Sequence, residues 1–404
     1  MGWVPHHAPA PPQPQWNKAV TDASAVCATQ PASPLRLVIG GFIALAVAIG
    51  IGRFVYTPIL PPMVAALRLS KFAAGLLASA NLAGYLAGAI LVAGPRLSTR
   101  NWVLGGLFVS AVTTGAMGLA RTLATFLILR AAGGVASAIV LVLTCAAVLE
   151  TLAALNRSEL TALLFAGVGA GIVGSAVLVS ALRAVGLGWS ALWTDSGAMS
   201  LLGLWACWHL IPTETPSRSP AKTISKLPLG HRFTRLTAAY GLFGFGYIIT
   251  ATFLIAIVRS RASTRAIEPI VWVIFGSAAV PSVALWSAAG RRFGIQRAFA
   301  LAALTEACGV LATVYWQSVV GISVGSALIG GTFMGLTALG LMRGRELAAR
   351  NPQRGVALLT SAFGLGQIVG PSFAGALSDR LGNFTVPSVI ATAALITSAA
   401  LAAG

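Results

Sequence analysis

Twelve apolar runs, each near the length needed to cross a bilayer, fill the chain between residues 37 and 403. Their limits are 37–63, 72–93, 102–120, 123–149, 160–182 and 189–211, then 236–258, 269–289, 297–315, 318–342, 355–377 and 384–403. A helix needs roughly 20 apolar residues to cross about 30 Å of hydrocarbon. Inside lipid the backbone must satisfy its own hydrogen bonds, which a single run of this length does only as a helix. The expected fold class is therefore an all-α polytopic membrane protein with twelve transmembrane helices. Charge supports this, because 9% of the residues are charged where a soluble domain carries about 25%.

The flanking segments divide the chain. Residues 1–36 are Pro-rich without an apolar stretch, and read as a disordered cytoplasmic tail and not a signal peptide. Residues 212–235 hold four prolines and a spread of Lys and Arg between the sixth and seventh runs, and read as a cytoplasmic linker. This leaves a six-helix bundle over 37–211 and another over 236–404.

The net charge of +18 would suggest nucleic acid in a soluble protein. Here the basic residues lie between membrane runs, where they act as topology signals and headgroup contacts, so no nucleic-acid partner is expected. With the N-terminus inside, inner segments carry seventeen Lys and Arg and outer segments eight. The positive-inside rule then puts both termini in the cytoplasm, in the inner (plasma) membrane of a bacterium. Cys27, Cys145, Cys207 and Cys308 show no metal-ligand or disulfide spacing, and His6, His7, His209 and His231 form no site, so no metal or cofactor is expected.

Four fragments recur at a nearly constant offset. Gly50-Ile-Gly52-Arg53 matches Gly244-Phe-Gly246-Tyr247 after 194 residues, and Gly94-Pro-Arg96 matches Gly290-Arg291-Arg292 after 196. Gly133-Gly134 matches Gly330-Gly331 after 197, and the run 170–175 matches 366–371 after 196. Spans 1–6 and 7–12 thus read as parallel copies, an arrangement that lets two bundles rock about a site between them. The small-residue runs 167–175 and 364–371 suit close helix packing.

The stretch Gly50–Met63 resembles the first-helix signature of the YbfB/YjiJ-type family of the major facilitator superfamily. Residues 79–88, 240–247 and 366–371 resemble that family too, and the likeness spans 37–403. It implies the major facilitator fold, a secondary transporter working by alternating access, and no fixed substrate. Two departures stand out. The superfamily's Gly-x-x-x-Asp-Arg-x-Gly-Arg-Arg loop lacks its Asp after span 2, at Gly94–Arg100, and again after span 8, at Gly290–Gly294. The latch that carboxylate provides must work differently here. Span 5 also has no Pro, unlike many drug/proton antiporters.

Charges inside a membrane cost about 2.5–3.5 kcal/mol or more, so each asks for a role. Arg53 in span 1 and Arg130 in span 4 lie about 15 and 10 Å from the outer ends of their spans at 1.5 Å per residue. The resembled fold lines its central cavity with these two helices. Two guanidiniums there would favour a small organic anion, a carboxylate above all, while Arg130 could equally tie helices together through carbonyls. Tyr56, Asn81, Tyr85, Tyr247, Thr250 and Gln367 complete the expected substrate-binding set, with interhelical hydrogen bonding as the alternative role for each. Glu306 is the one acid near a span's centre and the candidate proton carrier, although ninth helices of the resembled fold are peripheral. Gly94, Arg96, Gly290 and Arg291 are candidate gating residues, as is Pro58, expected with Pro61 and Pro62 to bend or end span 1 at its outer rim.

No HExxH, GxSxG or paired intramembrane Asp appears, so an enzyme is not expected and no catalytic residue is assigned. The expected partners are a small-molecule substrate, the lipid bilayer and a co-transported proton, with the chain acting as a monomer. A non-transporting sensor or a membrane-embedded enzyme is the alternative.

Overall fold

The computed structural model describes residues 33–92, 98–211, 230–260, 262–349 and 352–404. Most of the tail and of the linker, together with Gly94 and Arg96, lie outside the described residues. Twelve helices follow in order: α1 Pro34–Leu67 (interrupted), α2 Lys71–Leu91, α3 Thr99–Ala116, α4 Leu123–Ala154, α5 Thr161–Ala184 and α6 Trp189–Leu210. The second set is α7 His231–Arg259, α8 Glu268–Phe293, α9 Ile295–Tyr315, α10 Val319–Leu347, α11 Pro352–Leu381 and α12 Thr385–Ala403. Ten of these helices are long and apolar enough to cross a membrane by length and composition. The other two, α3 and α6, are diluted by Arg100-Asn101 and by Thr194-Asp195-Ser196, yet pack in the bundle as their counterparts do.

The pairing of helices repeats with a period of six. In the first bundle α2 packs on α4, α3 on α4 and α6, and α1 on α5 and α6. In the second, α8 packs on α10, α9 on α10 and α12, and α7 on α11 and α12. The bundles meet reciprocally, α2 against α11 and α5 against α8, with the second half of α1 against α7. The glycines make these approaches possible. A Cβ on Gly134 would come within 2.0 Å of the Asn81 carbonyl oxygen, and one on Gly330 within 2.1 Å of that of Phe275. Gly171 against Ala46 and Gly366 against Gly241 repeat the relation at α1–α5 and α7–α11, 2.2 and 2.1 Å from the carbonyl oxygens. Small residues here let backbones meet without the side-chain interlock that lipid-facing Leu would impose.

The first span departs from the expected single bend at its rim. An α-helical stretch, Pro34–Leu45, widens into a π-helix at Ala46–Ile51, loosens through Gly52–Val55, and resumes as α-helix at Tyr56–Leu67. Pro58, Pro61 and Pro62 all lie inside that last helix, which ends at Arg68 in the left-handed region (φ 51°). The break comes before the prolines for a physical reason. Pro58 has no N–H to give the Phe54 carbonyl, and that carbonyl accepts from Thr57 N at 3.2 Å instead, a tighter turn. The expectation that the prolines end the span at its rim is corrected: the disruption sits deep in the helix, beside Arg53.

Two faces can be distinguished. The terminal face carries the start of α1 and the end of α12. There Arg36 donates to the His209 carbonyl at 2.5 Å, and Arg100 to those of Trp208 and Ile211 at 2.9 and 3.1 Å. These cations satisfy the orphan carbonyls at the end of α6. The distal face carries Lys71, Arg183, Arg259, Glu268 and Asp379.

Candidate functional site

Arg53 stands at the centre of the molecule because α1 unwinds there. Its Nη2 donates to the Tyr247 hydroxyl on α7 at 3.1 Å, and Gln367 Nε2 on α11 donates to the same oxygen. The guanidinium lies over the rings of Phe54 and Tyr85, at 5.3 and 5.5 Å. Three of the expected substrate-binding residues from three helices thus form one hydrogen-bonded cluster, with Tyr85 stacked against it.

Arg130 makes a second group. The loosened turn of α1 frees the Gly52 carbonyl, which accepts from Arg130 Nη1 at 3.3 Å, and Leu77 on α2 accepts from its Nε at 3.4 Å. The Tyr56 ring lies 4.7 Å from the guanidinium carbon, and Asn81 Nδ2 donates to the Arg130 carbonyl at 2.9 Å. Arg130 therefore ties α1, α2 and α4 through carbonyls while its charge stays buried (4% exposed). The Tyr56 hydroxyl donates away from this group, to the Ala74 carbonyl at 2.6 Å.

Both arginines line one small void of about 20 Å³, with Tyr56, Thr57, Asn81 and Thr252. No carboxylate lines it among the described residues. Two polar atoms of its lining residues, Arg53 Nε and Asn81 Oδ1, are buried without a protein partner, as are Thr250 Oγ1 and Gln367 Oε1, whose residues do not line it. Each such group costs about 1–3 kcal/mol unless something answers it. The rings of Phe333 and Phe363 lie nearly parallel to that of Tyr247, each 5.8 Å away.

Glu306 is closer to this cluster than the periphery of a ninth helix suggests. It is fully buried, neither carboxyl oxygen has a hydrogen-bond partner, and it lies within electrostatic range of Tyr247. Its near polar neighbour is Thr332 on α10. That hydroxyl already donates to Leu328 at 2.7 Å, so it can offer Glu306 only lone pairs. Helix α9 packs on α10 and α12, and turns this one acid inward.

The gating candidates fare unevenly. Pro58 lines a distal cavity of about 370 Å³. Gly290 is buried against Leu339, and Arg291 is exposed in the last turn of α8.

The ties across the distal face were missed. The Asp379 carboxylate accepts from the backbone N–H groups of Lys71 and Phe72 at 2.9 and 2.8 Å, capping α2 from the opposite bundle. Glu268 pairs with Arg183 at 2.5 Å, joining α8 to α5, and stands 3.8 Å from Arg259. Thr57 donates to the Ala251 carbonyl at 2.9 Å, and Ser79 and Ser372 hydrogen-bond at 2.9 Å. A signal for the first tie existed: Gly375-Ala-Leu-Ser-Asp379-Arg380-Leu-Gly382 carries the Gly-x-x-x-Asp-Arg-x-Gly pattern absent after spans 2 and 8. Each part has a use. A Cβ on Gly375 would fall 2.2 Å from the Lys71 oxygen, Asp379 makes the cap, and Gly382 ends α11 at φ +76°.

While these ties hold the distal ends together, α4 and α10 share no principal packing interface among the described residues. The bundles thus meet through α1–α7, α2–α11 and α5–α8.

Comparisons with known proteins agree with this arrangement. No curated protein matches the chain significantly. Among solved structures, a crystal structure of the nucleoside transporter NupG, a point mutant, matches with a TM-score of 0.69 over 91% of this chain and 98% of its own, at 16% identity, a likeness of fold. The family model described as "Uncharacterised MFS-type transporter YbfB" matches residues 45–403. Two six-helix bundles in parallel repeat, meeting around a buried polar cluster, are the major facilitator fold, and the chain belongs to this family of membrane transporters.

Proposed function

We propose that the protein moves a small organic anion across a bacterial inner membrane by alternating access, as a monomer with both termini in the cytoplasm. The observation that carries this reading is the shared void of Arg53 and Arg130, two guanidiniums with no carboxylate against them among the described lining residues. Arg53 has the unpartnered Nε and a second nitrogen on Tyr247, so it is the group free to meet a carboxylate. Arg130, held by two carbonyls, supplies field and holds the first bundle together. The void is too small for cargo in this state, so the site must widen as the bundles rock. Because the Arg53–Tyr247 bond joins the two bundles, an arriving carboxylate would compete for the same guanidinium and loosen the contact. Binding and conformational change are thereby coupled.

Glu306 is the proposed proton carrier. An isolated ionised carboxylate in hydrocarbon costs far more than a neutral one. A proton held there would make the Thr332 hydrogen bond possible, with Glu306 as donor. Loss of that proton would place a negative charge within range of Tyr247 and, through it, of Arg53.

A nucleoside, the cargo named for the solved structure, is the second reading. The ring set of Tyr247, Phe333 and Phe363 favours it. The two readings separate in a thermal-shift screen of the purified protein with benzoate, succinate, uridine and benzylammonium. The anion reading expects carboxylates to stabilise the wild type and to lose that effect in Arg53→Gln. Stabilisation by uridine alone overturns it. Uptake into proteoliposomes of whichever compound stabilises the protein, abolished in Arg53→Gln while the variant remains folded, tests transport itself.

A further inference from the structure

A distal cavity of about 620 Å³ lies between the ends of α1 and α7, the start of α2 and the α11–α12 turn. This falls within the range of small-molecule sites, about 300–1,000 Å³. Leu60, Pro61, Phe253 and Phe384 are among its apolar walls, and Lys71, Arg259 and Arg265 bring three cations to it. No acidic side chain lines it among the described residues. The nearby acids are engaged: Asp379 caps α2, and Glu268 is committed to Arg183 at 2.5 Å. Arg259, 3.8 Å from Glu268, keeps Nη1 buried without a hydrogen-bond partner. The Lys71 ammonium donates to the Ser378 carbonyl at 2.9 Å and lies over the Phe384 ring.

The cavity is in line with the central void. Leu60 and Ala74 in its lining stand one helical turn from Tyr56 and Ala78 in the lining of the void, and Phe253 adjoins Thr252. Between the two run the hydrogen bonds from Tyr56 to Ala74 at 2.6 Å and from Thr57 to Ala251 at 2.9 Å. Asn383 and Phe384, between α11 and α12, and Arg265, after the end of α7, contribute to the lining, so the cavity lies at the distal ends of the helices.

We propose that this cavity is a second anion site, an antechamber that takes a small organic anion with an apolar body from the distal solution and holds it next to the lining of the central void. The identity of the cargo rests on the anion reading above. The charge preference of the antechamber rests on its own lining.

The test places a reporter in the cavity. Ser260, an exposed residue of its lining, is replaced in Ser260→Cys, with the four native cysteines changed to Ser, in phosphatidylcholine nanodiscs. Labelling rates are compared for an anionic sulfonate methanethiosulfonate and a cationic trimethylammonium one. The expected anion-to-cation rate ratio is about tenfold above that of a free thiol. It should fall to within about twofold of the free thiol in Arg259→Gln/Arg265→Gln, and also in ~1 M salt with no further substitution. Excess benzoate should slow labelling, and excess benzylammonium should not. A ratio no higher than the free thiol's, or no protection by benzoate, overturns the proposal. Protection that vanishes when phosphatidylglycerol is added overturns it as well, in favour of a lipid headgroup. Repeating the measurement with Arg53→Gln separates the two sites: an intact ratio and intact benzoate protection support the antechamber, whatever that substitution does to transport.

Discussion

Arg53 and Tyr247 hold the same position in the two copies of the internal repeat, 194 residues apart, and they hydrogen-bond to each other at 3.1 Å. Thr57 and Ala251 repeat the relation at the same separation. Equivalent residues can meet only where the two copies cross on their common axis, so α1 and α7 touch at the centre of the transporter. The two copies differ there in backbone and in chemistry: α1 is interrupted and supplies a cation, whereas α7 runs unbroken and supplies a phenol.

Replacing Tyr247 with Phe removes the acceptor for both Arg53 and Gln367 without changing the ring. Two buried donors then lack a partner, at about 1–3 kcal/mol. The expected result is a lower thermal unfolding temperature together with at least a tenfold loss of transport rate. Unchanged stability and unchanged uptake would show that the bond has no part in the closed state.

Asp379→Asn keeps the size of the side chain but removes its charge and replaces one of the two accepting oxygens with an NH2 that cannot accept. A carboxylate at a helix N-terminus is worth about 1 kcal/mol. The distal-closed population should therefore fall about fivefold relative to the distal-open one. Distances between spin labels on the distal ends of α2 and α11 report this directly, and an unaltered distribution argues against the latch.

Gly50→Ala would put a Cβ 2.4 Å from the Cα of Gly171, where neither backbone can yield without separating α1 from α5. A destabilisation of about 1–3 kcal/mol is expected. Gly105→Ala meets nothing within 4 Å and should be neutral or stabilising. Thermal unfolding of the two variants side by side is the measurement, and equal behaviour counts against close packing at α1–α5.

Glu306→Gln preserves size and the ability to donate to Thr332 but cannot lose a proton. Accumulation of cargo driven by a pH gradient should disappear while exchange of cargo across the membrane continues. Gradient-driven accumulation at the wild-type level would remove Glu306 from the coupling path. Glu306→Leu, which removes the polar group, separates a structural role from this one by its effect on exchange.

The spans were legible because hydrocarbon imposes a length and a composition on every helix that crosses it; all twelve expected runs match helices whose ends differ by at most five residues. The repeat was legible too, because glycine is demanded wherever two backbones approach, as at Gly134 and Gly330. Arg53, Tyr247 and Gln367 were each picked out as polar groups that hydrocarbon does not tolerate idly. That they share one hydrogen-bonded cluster could not be read from the sequence, since it depends on three helices from two bundles crossing at one depth.

Other features were hidden for definite reasons. The inward turn of Glu306 depends on the rotation of α9 about its own axis, which apolar neighbours on every side leave unmarked. The break in α1 falls before its prolines because Pro58 disrupts the carbonyl of Phe54, one turn back. The latch was sought after spans 2 and 8, whereas Asp379 lies at the end of α11. By itself, then, the sequence determined twelve helices, their duplication and the scarce charges among them, because lipid and backbone geometry act on each segment locally. Only the tertiary structure decided that Arg53 faces Tyr247, that Asp379 caps α2 and that three cations share one distal cavity, because those contacts join segments as much as 308 residues apart in the chain.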